Sequence, residues 1–145
     1  MPTPITNSAS AVWKGDLFSG SGSVSLETSG TGSFNTSWKA RAEESGNGTT
    51  TPEELIAAAH STCFCMAFSN TLAKNGTPPT QLDTNATVTF VAGSGITRID
   101  LEVTGQVEGL SADEFSDLAE QAKKNCPVSV ALAGVPEITV KATLA

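Results

Sequence analysis

One uncharged run governs how this chain can fold. Residues 55–73 contain no Asp, Glu, Lys or Arg. That length is sufficient to cross a bilayer. The run also carries His60, Ser61, Thr62, Ser69, Asn70 and Thr71, which is too polar for a lipid-facing span. It is equally too uncharged for an ordinary surface helix, so it predicts a soluble helix buried on most sides. Thr51-Pro52-Glu53-Glu54 writes the start, with Thr at the N-cap, Pro at the first helical position and Glu at the third. Asn75-Gly76 and then Pro78-Pro79 write the stop. The helix should end near Lys74, a length of roughly 34 Å at about 1.5 Å per residue.

The rest of the chain reads as short elements around this helix. Residues 11–13 and 23–26 are strands joined by a turn at Ser19-Gly20-Ser21-Gly22, and residues 33–41 are expected as a third strand. Trp13, Phe18, Phe34 and Trp38 give this Gly/Ser/Thr-rich region the anchors that disordered tracts lack. Residues 82–92 and 96–107 read as a hairpin. Its second strand alternates Ile99, Leu101 and Val103 with Asp100, Glu102 and Thr104. Ser111-Ala112-Asp113-Glu114 opens a further helix, Pro127 starts a short one over residues 127–133, and residues 137–144 close as a strand. No repeat or linker divides the chain, so a single domain over residues 1–145 of the α+β class is expected.

Charge narrows the possible functions. Lys plus Arg number 8 against 15 Asp plus Glu, a net charge of −7. This argues against partners held by bulk positive charge, namely nucleic acid or an anionic membrane. Three cysteines are an odd count and too few for a disulfide scaffold. Nor does the Met1-Pro2-Thr3-Pro4 start show a basic or apolar leader, so a reducing cytoplasm is the expected location. Arg41 and Arg98 are the only arginines and His60 the only histidine.

The candidate chemical groups each have two readings. Cys63 is a small core residue or a reactive thiol. Cys65 lies about 200° round the helix from it, so the two cannot share a metal or a disulfide on an intact helix. Cys126 immediately precedes Pro127, near a helix N-terminus that favours a thiolate. His60 is one turn before Cys63. It could raise the thiolate fraction, ligate a metal with Cys63 and Cys126, or simply be a buried histidine bonded to a backbone carbonyl. Glu54 is explained by the capping box; Glu53 is not needed for it.

The segment Thr51-Pro52-Glu53-Glu54-Leu55-Ile56-Ala57-Ala58-Ala59-His60-Ser61-Thr62-Cys63-Phe64-Cys65-Met66-Ala67 closely resembles the first-cysteine motif of the OsmC/Ohr family, the osmotically inducible proteins and organic hydroperoxide reductases. Asn125-Cys126-Pro127-Val128-Ser129 resembles its second-cysteine motif, and Trp38-Lys39-Ala40-Arg41-Ala42-Glu43 the stretch carrying its active-site arginine. His60 favours the OsmC branch, and Cys65 stands where that pattern has a serine. The resemblance implies an OsmC-like fold and a thiol peroxidase acting on organic hydroperoxides; the apolar residues around Cys63 make H2O2 the poorer expected substrate. Cys63 would be peroxidatic and Cys126 resolving, with Arg41 and Glu53 the activating ion pair. It implies no bound cofactor or metal. An external dithiol, in the family a dihydrolipoyl group on a carrier protein, would regenerate the enzyme.

Two points follow from the chain itself. Glu53 and Cys63 are ten residues apart on one helix, roughly 15 Å along its axis. If both serve one site, Glu53 must reach the Cys63 of another subunit. The uncharged helix also asks for more cover than one small domain gives. Both indicate an intertwined homodimer, which the family resemblance implies as well. Phe64, Met66 and Phe68 flank the cysteine and predict an apolar pocket suited to alkyl or aryl hydroperoxides. The competing reading is a non-catalytic redox or stress-sensing protein on the same fold.

Overall fold

The computed structural model describes residues 2–145. The chain divides into two compact units, residues 1–52 and 53–145. In the first, β1 (Ala9–Lys14), β2 (Ser21–Leu26) and β3 (Ser33–Thr36) form an antiparallel meander in the order β1-β2-β3. Every residue of β1 is exposed.

The expected third strand stops at Thr36. Residues 38–41 turn instead into a short helix, α1 (Trp38–Ala42), so Arg41 is helical. The Ser37 side chain decides this by accepting the Ala40 N–H at 3.1 Å, an N-cap bond that satisfies an otherwise orphaned donor. Trp38 then meets Phe18 edge to face, with ring centroids 5.9 Å apart. The connection to the next element returns to β3, where the Thr50 N–H donates to the Asn35 carbonyl at 2.8 Å.

The long helix α2 runs over Pro52–Lys74, as its capping and stop residues require. Gly76 takes φ +83° just beyond it, the left-handed conformation that ends helices and that glycine adopts without a Cβ clash. Helix α2 is followed by the hairpin β4 (Gln81–Val91) and β5 (Gly95–Gln106), then α3 (Ala112–Asn125), α4 (Pro127–Ala131) and β6 (Glu137–Leu144). The sheet order is β4-β5-β6. The hairpin pair is antiparallel, whereas β6 returns across α3 and α4 to lie parallel to β5. Arg98 fixes that register, donating to Asp100 at 2.8 Å on its own strand and to Glu137 at 2.5 Å on β6.

The core of this unit is one cluster. Phe64, Phe68 and Leu72 of α2 join Leu101 and Val103 of β5 and Phe115, Ala119 and Ala122 of α3. Phe68 lies between Phe64 and Phe115, at centroid distances of 5.5 Å and 4.9 Å. The buried positions His60, Phe64, Phe68 and Leu72 recur every fourth residue, a single stripe along α2. The expectation of burial on most sides therefore fails within one chain: Thr62, Met66 and Asn70 are exposed, Met66 by 69%.

Candidate active site

Two helices bring the predicted thiols together. Cys63 lies on the partly buried flank of the α2 stripe. Cys126 is the residue where α3 ends and α4 begins, C-cap of one and N-cap of the other, and is fully buried. Pro127 cannot extend α3, because its ring removes a donor and clashes with the preceding turn, so the chain must re-start there. The result sets Cys126 Sγ 3.2 Å from Cys63 Sγ across 63 residues of sequence. Both are free thiols. A disulfide needs about 2.05 Å, so closing one asks for a shift of about 1 Å.

The Cys63 thiol sits above its ordinary pKa. Burial is the main cause, and the adjoining Cys126 thiol adds to it, while a hydrogen bond from the Val128 backbone N–H opposes both by favouring the thiolate. Val128 belongs to the first turn of α4, so the segment that presents Cys126 also touches Cys63.

His60 is fully buried, and its Nε2 lies 2.7 Å from Ser129 Oγ rather than against a backbone carbonyl. Its Nδ1 has no hydrogen-bond partner. Burial holds its pKa low, so the ring is neutral near pH 7. Among the described residues no group of three or more His, Cys, Asp or Glu could hold a metal ion. Ser129 and the Val128 N–H were not singled out from the sequence. The signal lay in the matched spacing of His60 with Cys63 and Cys126 with Ser129, each one helical turn.

The other predicted residues are distributed. Cys65 faces the sheet, with Thr84 Oγ1 of β4 at 3.0 Å, as the 200° separation requires. Glu53 is buried at the start of α2, roughly 15 Å of helix from Cys63. Arg41 lies on α1 in the first unit. Arg98 is committed to Asp100 and Glu137. The expected apolar pocket of Phe64, Met66 and Phe68 is not formed within this chain. Both phenylalanines are core residues with no exposure, and Met66 points outward. Two clefts border α2, of about 660 Å³ and 690 Å³. The first is lined by Asn70, Lys74, Gln121 and Asn125 among others, the second by Cys65, Met66 and Leu82 among others, and Cys63 lines neither.

Two free thiols thus stand side by side, one on a long helix and one at a Pro-started turn. Residues 45–141 match the family model described as OsmC-like protein. The chain belongs to the OsmC-like family. It is 40% identical over 131 residues to peroxiredoxin OsmC of Escherichia coli (strain K12), covering 88% of this chain and 90% of that protein. Organic hydroperoxide resistance protein OhrA of Bacillus subtilis (strain 168) is 32% identical over 94 residues, 63% of this chain and 66% of OhrA. Among solved structures, an organic hydroperoxide resistance protein from Elizabethkingia anophelis matches 100% of this chain and 99% of its own, at 26% identity and a TM-score of 0.69. An OsmC-like protein from Mycoplasma pneumoniae shares the fold over 98% of this chain and 99% of its own, with a TM-score of 0.70 at 19% identity. The α+β fold is thus that of the OsmC and Ohr proteins, and the curated relatives carry peroxide-related names.

Proposed function

We propose that this protein is a thiol-dependent peroxidase that reduces organic hydroperoxides through Cys63 and Cys126 and is regenerated by a dithiol. The observation that carries the reading is the 3.2 Å separation of two free thiols at the junction of α2 and α4. The Cys63 thiolate attacks the terminal oxygen of the hydroperoxide, breaking the O–O bond. The sulfur becomes a sulfenic acid, and the alkoxide leaves and takes a proton to become the alcohol. The Cys126 thiol then displaces water from the sulfenic acid, forming the Cys63–Cys126 disulfide. A dithiol returns both cysteines to thiols and is itself oxidised to a disulfide.

The organic class of peroxide is supported by the name of the B. subtilis relative, and the dihydrolipoyl nature of the dithiol by the family resemblance. Arg41 and Glu53 are assigned the activating ion pair on the same resemblance. A guanidinium can serve a thiolate and a carboxylate together, and it would oppose the upward pull of burial on Cys63. Because roughly 15 Å of helix separates Glu53 from Cys63, that pair acts across a homodimer, with residues 1–145 working as one domain of each subunit in the cytoplasm. The alternative on the same pair of thiols is a sensor that oxidises once without turnover.

Consumption of cumene hydroperoxide with dihydrolipoamide separates the two. Cys63→Ser should abolish turnover, Cys126→Ser should reduce it by about two orders of magnitude, and Cys65→Ser should retain it. Turnover that survives Cys63→Ser would remove the assignment. A single equivalent of oxidation in wild type, with no cycling, would establish the sensor.

A further inference from the structure

The two helices that carry the cysteines meet at a second contact. His60 lies one turn before Cys63 on α2, and Ser129 one turn after Cys126 on α4. Their side chains pair at 2.7 Å, and the thiols at 3.2 Å. Helix α4 is only five residues long, Pro127–Ala131. So short a helix has no intrinsic stability and takes its position from what it touches. Pro127, Val130 and Ala131 are exposed. Beyond its buried N-cap Cys126, Val128, packed against the core cluster, and Ser129, buried against His60, tie it down. His60 itself cannot move, being wholly buried on the same stripe as Phe64 and Phe68.

The polar pair is a poor choice if its purpose is stability. A buried imidazole with one orphaned nitrogen incurs a desolvation cost that an apolar side chain of similar volume would avoid. What it supplies is direction, since a hydrogen bond fixes distance and angle where an apolar contact does not.

We infer that His60 and Ser129 are positioning residues: their hydrogen bond pins α4 to α2 so that Cys126 Sγ is held over Cys63 Sγ and the Val128 N–H over the same thiol. The inference extends the proposed peroxidase cycle, where it bears on the step that closes the disulfide. It concerns thiol geometry alone, however, and can be measured without peroxide. In a glutathione redox buffer, oxidised glutathione plus the two protein thiols gives the Cys63–Cys126 disulfide plus two reduced glutathiones. The equilibrium reads the effective concentration of one thiol at the other.

The experiment is carried out on the full chain, using only variants whose far-UV circular dichroism matches wild type. Ser129→Ala removes one oxygen and should lower the effective concentration by about tenfold or more, since a displacement near 1 Å can cost about a hundredfold in aligned reactions. His60→Leu, which fills the volume without a polar atom, should do the same. His60→Gln, which restores a side-chain nitrogen, should recover most of it. Wild-type values in Ser129→Ala or His60→Leu would overturn the inference. Failure of both to fold would assign the pair to holding the fold, and would overturn it too. If wild type closes the disulfide in glutathione but consumes no hydroperoxide, the peroxidase reading fails and the positioning role stands. If it consumes hydroperoxide while the variants close as wild type does, the reverse holds.

Discussion

At the sulfur of Cys63 three influences compete: burial and the neighbouring Cys126 thiol keep the proton on, and the Val128 N–H helps take it off. The nucleophile is the thiolate, so the first oxidation of the isolated subunit by hydroperoxide should accelerate as pH rises through the alkaline range. Stopped-flow kinetics with excess hydroperoxide would show it; in the proposed dimer, Arg41→Ala should leave the alkaline rate nearly intact while lowering the neutral one. The same shift has a consequence for stability. The native Cys63 keeps its proton to higher pH than the unfolded chain does, so between the two pKa values the native state holds more protons. Its stabilising contribution is full below the unfolded-chain pKa and is lost as pH rises through the folded one. Urea midpoints between about pH 7 and about pH 10 should therefore fall more steeply for wild type than for Cys63→Ser.

Elements differ in how openly the sequence declares them. Helix α3 could be read from its Ser111-to-Glu114 capping box, where the Ser111 side chain accepts the Glu114 N–H at 3.2 Å, and β5 from its alternation. Helix α1 could not. Five residues are too few to show a 3.6-residue period, and the deciding Ser37 cap looks like any serine in a serine-rich stretch. The cysteine pairing was accessible only through the motifs, and the His60–Ser129 contact was beyond reach because it joins residues 69 positions apart. The packing of α3 on β5 was also hidden. A Cβ at Gly105 would overlap the Phe115 ring and stand 3.1 Å from Leu82 Cδ2, so the aromatic ring lies directly on bare backbone. Gly105→Ala should cost about 1–3 kcal/mol by overpacking, measurable as a lower urea midpoint with an unchanged slope.

Two surfaces of the whole molecule are left uncovered. The outward face of α2 presents Met66, and β1 is exposed along its entire length. Little of the uncharged run of α2 is buried inside the single chain. The homodimer proposed above requires that a second copy cover that helix face. Sedimentation equilibrium should then show a dimer at micromolar concentration. Met66→Lys should weaken it about tenfold or more, because an unpaired ammonium would be buried. A monomeric wild type would remove the two-subunit site and with it the assigned role of Glu53.

In the proposed cycle, the span between the paired thiols also sets a requirement on the reductant. Closing a disulfide across 63 residues removes chain entropy from the unfolded state worth about 4 kcal/mol. By thermodynamic reciprocity, whatever the bond adds to the fold's resistance to unfolding, the fold adds to the bond's resistance to reduction. For a two-electron couple that is about 90 mV more negative than the same bond in a loose chain. The tighter the two sulfurs are held, the faster the bond closes and the stronger the electron donor must be that reopens it. A donor whose own two sulfurs close into a ring meets that demand better than a lone thiol, because its second displacement is intramolecular.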